Sequence, residues 1–218
     1  MAEKMKYSLD LIESNSYIKT QILKEISNRL EQVFIKAKNI IPEKIKLLVS
    51  QALKNEPEYQ SLIGGNLRLE FGIKDVSNVD TVIEKLVNTI SVSYSPVKPL
   101  TNTINGNITI TMMKSDDLNG IIYDDSAVVK DEENGYSLPW LEWLLLRGNS
   151  VIVRGYSVQF GPNPNSRSGG AVMVSSQDSW RVPPQFVGDA KNNWTTRAIE
   201  KIDKEIIQLI KSSIEDSL

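Results

Sequence analysis

Two runs of apolar residues at spacings of three and four, one near each end, constrain the fold of this chain most. Near the N-terminus Ile18, Ile22, Ile26, Leu30, Val33, Phe34, Ala37 and Ile41 recur in that period behind Ser14, Asn15 and Ser16. The spacing predicts an amphipathic helix over 16–41, capped by a side chain at its start and broken or kinked by Pro42. A shorter helix over 43–54 then turns Ile45, Leu48, Val49 and Ala52 inward. Towards the C-terminus Ala198, Ile202, Ile206, Leu209 and Ile210 predict one helix of about six turns over 194–214, with Asn192 or Asn193 as its cap. Each stripe needs a surface to bury it.

The middle of the chain changes period. Leu67, Leu69 and Phe71 alternate with Asn66, Arg68 and Glu70, which predicts a half-buried strand, and Ile108, Ile110 and Met112 predict another. Residues 91–97 read as a strand that Pro96 and Pro99 hold at a sheet edge. Residues 121–123 and 127–129 read as shorter strands. Ser77-Asn78-Val79-Asp80 has capping-box spacing and leads a helix to about Ile90. Pro139 suits the first position of a short helix to Leu146, with Trp140, Trp143 and Leu144 on one face. A strand over 151–160, bulged at Gly155, pairs with 171–174 across a Gly/Pro/Asn/Ser loop. The order implies an α+β fold: long N- and C-terminal helices packed on a mainly antiparallel β-sheet, with an acidic insertion in the middle. Residues 1–218 read as a single domain in which 91–134 forms an inserted lobe.

Composition limits the chemistry. The 218 residues include no cysteine, which removes disulfides and thiolate catalysis, and no histidine, which removes the usual general base. A net charge of −2 excludes a globally basic nucleic-acid binder. Charge is nevertheless uneven: Ser115–Ser137 holds seven acids and one base, whereas Leu138–Arg197 holds five of the seven arginines. The longest near-continuous apolar run, Leu138–Leu146, is under half the roughly 20 residues that span a bilayer. Neither a membrane span nor a secretory signal is expected.

Candidate sites are few. Asp116-Asp117 and Asp124-Asp125 lack calcium-loop spacing, as does Asp131-Glu132-Glu133-Asn134-Gly135, and read as solvated turns. No catalytic, cofactor or metal residue is assigned. Arg147, Arg154, Arg167 and Arg181 are candidates for a surface facing DNA or a partner. Pro162, Asn163, Pro164, Asn165, Ser166 and Ser168 form a candidate interface loop, whose plainer reading is a flexible hairpin tip. Two carboxylates suffice for glycoside hydrolysis, and Glu142 between Trp140 and Trp143 is the best candidate, though nothing identifies its partner. The simpler account has the tryptophans anchoring a helix while Glu142 faces water.

Several segments together resemble the neck and tail-completion proteins of tailed bacteriophages. They are Ile35-Lys36-Ala37-Lys38 in the first helix, Gly65-Asn66-Leu67-Arg68 as a strand entry, and Pro139-Trp140-Leu141-Glu142-Trp143. Pro183-Pro184-Gln185-Phe186 before the last helix, and Tyr156 to Pro162 with Ser166-Arg167-Ser168-Gly169, complete the set. The resemblance implies a non-enzymatic virion component that joins the head connector to the tail. It would form a homo-oligomeric ring, six copies being the number the family suggests, around non-specifically contacted double-stranded DNA. Its neighbours would be a head-completion or connector protein and a tail terminator or tail tube protein. The expected location is the virion neck, after assembly in the host cytoplasm. The alternatives are the tail terminator itself and, in a different class, a carboxylate-dependent glycoside or peptidoglycan hydrolase.

Overall fold

One helix, α1 (Asn15–Asn55), runs for 41 residues, about 60 Å by the rise of an α-helix. Ser14 caps it by accepting the Tyr17 N–H at 3.2 Å. The computed structural model describes residues 13–131 and 135–218, so 1–12 and the acidic 132–134 lie outside the description. Pro42 sits inside α1 and does not end it, against the expectation of two helices. A proline there removes one hydrogen bond and crowds the carbonyl four residues back. Ala37, Ile41, Ile45 and Val49 nevertheless form an unbroken buried stripe across it. Packing on both sides of the proline outweighs the local defect.

Along that stripe lie α2 (Pro57–Gly64), α4 (Ser77–Asn88), α7 (Trp194–Lys201) and α8 (Asp203–Glu215). Leu62, Leu67, Phe71, Val82, Ile83, Leu144, Trp194 and Ala198 join it in one buried cluster. The terminal helices therefore bury their stripes largely against each other, where a sheet was expected. The fold is α+β and every strand pair is antiparallel, but the strands form three separate two-stranded hairpins and no continuous platform. The C-terminal helix is also divided at Ile202 (φ −106°, ψ 12°). No proline or glycine marks that break, so the periodicity runs straight through it.

Four local expectations change. Residues 66–71 are a helix, α3 (Asn66–Phe71), because Leu67 and Phe71, four apart, both reach the core. Gly72 in the left-handed region stops it: the Gly72 N–H donates to Leu69 and the Ile73 N–H to Arg68, a Schellman closure. The strand entry at 65–68 that figured in the phage resemblance is thus a helix start. The capping box at Ser77 does not form. Asp75 accepts the Ser77 N–H at 2.9 Å, while Asp80 is engaged by Tyr59 and Lys54. Residues 121–122 belong to α5 (Ser115–Ile122), and 127 to a 3-10 turn (Asp125–Ala127) before β3 (Val129–Asp131), which pairs with β4 (Tyr136–Leu138).

The N-terminal half of α1 carries its own cover, the hairpin of β1 (Ser91–Pro99) and β2 (Ile104–Thr111). Its pairing slips between Ser95 and Lys98, around Pro96, which frees the Val97 N–H from the ladder. Glu31 of α1 accepts that N–H at 2.6 Å and the Tyr94 hydroxyl at 3.3 Å. Val33 is buried, but Ile22 and Ile26 are 53% and 42% exposed. Ile26, expected in the core, is on the surface.

Two predictions follow from this packing. Ile206→Asp, at a position 6% exposed, abolishes soluble folding, whereas Ile26→Asp melts cooperatively near the parent temperature. Circular dichroism melts of the two variants check the contrast. Asp124 accepts from Lys85 at 2.5 Å and from the Ser126 hydroxyl and N–H, and these bonds hold its carboxyl down at about 2 against 3.8. A lowered folded-state pKa stabilises above the ordinary value and loses that stabilisation as pH falls towards 2. The melting-temperature gap between the parent and Asp124→Asn is therefore full above about pH 4 and closes by about pH 2.

Candidate functional site

The arginine-rich block folds into α6 (Trp140–Leu145) and the hairpin of β5 (Val153–Phe160) and β6 (Ala171–Trp180). Arg154 pairs with Ser179 and Tyr156 with Ser175, so the register slips beside Gly155, whose φ is +74°. The expected bulge is there. The turn connecting α6 to β5 is tied back by the Gly148 N–H to Gly188 and the Ile152 N–H to Trp180. Gly188 leaves no room for a side chain: a Cβ would lie 2.4 Å from the Leu144 carbonyl oxygen.

The four candidate arginines do not form one patch. Arg147, Arg154 and Arg181 sit at the open end of the hairpin, and Arg167 at its closed end, roughly 25 Å away by the rise of an eight-residue strand. Arg147 binds Glu142 at 2.6 Å and lies over the Trp143 ring at 5.9 Å. Arg181 reaches the Asn149 carbonyl at 3.4 Å. Arg154 is exposed and makes no hydrogen bond or ion pair among the described residues. Arg167 binds Asp131 at 2.6 Å, and its side chain lies across Gly72.

The candidate loop is internally tied and rests on the body of the protein. The Asn163 side chain accepts the Asn165 N–H, and Ser166 Oγ accepts the Ala171 N–H and donates to the Ala171 carbonyl. Gly170 touches the fold so closely that a Cβ would lie 2.9 Å from Leu69 of α3. Ser166 and Ser168 are half-buried at the base, while Pro162, Pro164 and Asn165 face outward, with Asn163 between.

Glu142 differs from its sequence reading. It does not face water but is buried, 8% exposed, where Oε1 accepts from both Arg147 and the Tyr123 hydroxyl. That contact raises the Tyr123 hydroxyl pKa, because the phenolate would lie against a carboxylate. Glu142 thus ties α6 to the end of α5. Trp140 is fully buried, donating its indole N–H to the Ser126 carbonyl, while Trp143 is only half-buried. The paired aspartates are also used locally: Asp124 holds Lys85, and Asp125 holds Lys130. Among the described residues no cluster of three acidic side chains has the spacing of a metal site.

Sequence reasoning missed the two most buried carboxylates outside α6. Glu56 and Glu58 flank Pro57 at the α1–α2 junction and bind Lys201 and Arg197 of α7. Arg197 and Lys201 are one helical turn apart, matching two acids two residues apart across a chain bend. No periodicity signals such a pairing, because it joins positions 139 and 145 residues apart.

Truncating Trp140 to Ala costs about 3–5 kcal/mol in chemical denaturation, and Trp143→Ala costs well under half of that because Trp143 is half-exposed. Glu142→Gln keeps the fold and lowers the melting temperature modestly, since Arg147 loses its ionic partner at a half-exposed site. Equal losses at the two tryptophans would refute this placement.

Compared with known protein families, curated proteins and solved structures, the chain matches none.

Proposed function

We propose that this chain is a non-enzymatic structural subunit of a tailed-phage neck, assembling into a ring that joins head connector to tail around the DNA. The observation that carries the reading is the arm formed by the first half of α1 and the β1–β2 hairpin. Its helix extends beyond the main buried cluster, which begins at Ala37, while Val92, Ile108 and Ile110 of the hairpin pack against that cluster; Glu31 ties helix to hairpin, and Ile22 and Ile26 stay exposed. A second exposed apolar group, Tyr156, Phe160 and Met173, lies on the β5–β6 hairpin. A ring requires two different, mutually complementary patches on each subunit, because its contacts are head-to-tail. The arm and the hairpin supply such a pair, and the occupant of each patch is a second copy of the chain. Arg154, the candidate arginine without a partner among the described residues, is the group for phosphate contact in the channel.

Light scattering coupled to size exclusion tests the assembly. The parent is expected to elute as a closed oligomer visible as rings by negative-stain microscopy, and the double variant Ile22→Glu/Ile26→Glu as a folded monomer. A parent that remains monomeric at all accessible concentrations sinks the proposal. So does a double variant that still forms rings.

A further inference from the structure

We propose that the recess enclosed by the α3–α4 turn, the 3-10 turn, α6 and the 161–170 loop binds a small organic anion, a carboxylate or phosphate on a body the size of one six-membered ring. The inference stands apart from the ring reading and needs no second subunit. The recess has a volume of about 150 Å³, similar to a protein cavity that admits a single benzene ring. Its floor is apolar, made by Ile73, Val129 and the buried Trp140. Its rim carries three cationic side chains, Lys74, Lys130 and Arg167, against one carboxylate, Asp75.

The carboxylates that pair Lys130 and Arg167, Asp125 and Asp131, do not line the recess, so the cations face it while their partners stand behind. Asp75 Oδ1 accepts the Ser77 N–H at 2.9 Å, so that carboxylate is directed at the first turn of α4. Lys130 and Arg167 keep Asp125 and Asp131 as ionic partners and still line the recess. Lys74 is exposed and makes no hydrogen bond or ion pair among the described residues. A bound anion would pair with Lys74 and use the remaining N–H donors of Lys130 and Arg167. Asn78 adds an amide donor to the rim. The apolar floor under a cationic rim selects an amphipathic anion over a bare ion, because ring burial and charge pairing are both available.

The position of the loop explains why this recess exists. Arg167 passes over Gly72, where any side chain would meet its Cδ at 3.3 Å. The left-handed glycine thus lets the guanidinium reach the rim while also ending α3. Ser166 Oγ, one residue before Arg167, clamps the loop base to Ala171.

Benzoate, with benzamide as its uncharged match, is the probe, titrated into the full chain and followed by heteronuclear NMR at the Trp140 indole and Gly72 amide. The expected result is saturable benzoate binding with Kd on the order of 1 mM, and benzamide weaker by about tenfold or more. Lys74→Gln weakens benzoate about tenfold with an unchanged melting temperature, since that side chain holds nothing in the fold. Inorganic phosphate that displaces benzoate assigns the rim to oxyanions generally, and failure to displace assigns it to carboxylates; both keep the site. Shifts that do not saturate, benzamide matching benzoate, or unchanged affinity in Lys74→Gln would each overturn the proposal.

Discussion

Everything in this fold leans on the buried stripe of α1 from Ala37 to Leu53. The helix is too long to be stabilised by local propensity, and its stability comes from what covers it. The cover comes from α2 and α4, which follow it in the chain, and from α7 and α8, which close it from the far end of the sequence. Trp194 completes the join. Its indole N–H donates to the Leu53 carbonyl at 3.1 Å, satisfying one of the acceptors that a helix leaves open at its C-terminus. Beside it, the bonds of Lys201 and Arg197 to Glu56 and Glu58 fasten the same two segments through buried carboxylates. Such pairs add less net stability than their geometry suggests, but losing one partner leaves a buried charge uncompensated. The end of the chain is therefore specified as strongly as it is stabilised.

Two of the other three tryptophans repeat this device around Phe71. Trp140 and Trp180 pack against its ring at 6.5 and 6.0 Å, and each sends its N–H to an oxygen outside the aromatic group. The Trp180 acceptor is Glu70, whose burial pushes its carboxyl above the usual range while the indole bond opposes that shift. Large apolar area and a single polar tether come from the same side chain. This is how a chain without disulfides ties the β5–β6 hairpin to a helical body. A two-stranded hairpin alone is marginal in water, and each of the three hairpins gains its stability from the helix it touches.

The sequence displayed whatever depended on period and little that depended on partner. Both terminal amphipathic stripes, the Gly155 irregularity, a cap at Asn192 or Asn193 and the α+β class were legible, because each is written in neighbouring residues. The Asn193 cap even forms a full box with Thr196. The failures have one physical origin. Leu67, Leu69 and Phe71 satisfy a period of two, yet Leu67 and Phe71 also satisfy a period of four, and tertiary burial chose the latter. Pro42 signals a break that packing on both sides overrides. Ile22 and Ile26 continue the helical stripe past the point where the fold covers it. Glu142 looked solvated because Arg147 and Tyr123, its partners, stand at other turns of the chain. Among the candidate site residues, the sequence identified the arginines but could not separate those engaged within the molecule from Arg154. The recess beneath Arg167 draws on four segments and left no local signature.

Pro42 has a mechanical consequence. The missing hydrogen bond makes it the softest point of α1, with Ala37 and Ile41 still seated in the core ahead of it and the helix before Ala37 covered only by its hairpin. Some 27 residues precede it within the helix, a lever of about 40 Å. A tilt of about 5° at the proline swings the arm's tip by about 3–4 Å, while Ala37, five residues from the joint, moves by under about 1 Å. Glu31 makes helix and hairpin turn together, so the arm sweeps as a stiff strut. Such a joint lets one rigid body meet neighbours at slightly unequal separations, tolerating mismatch by rotation where a fixed surface would have to deform.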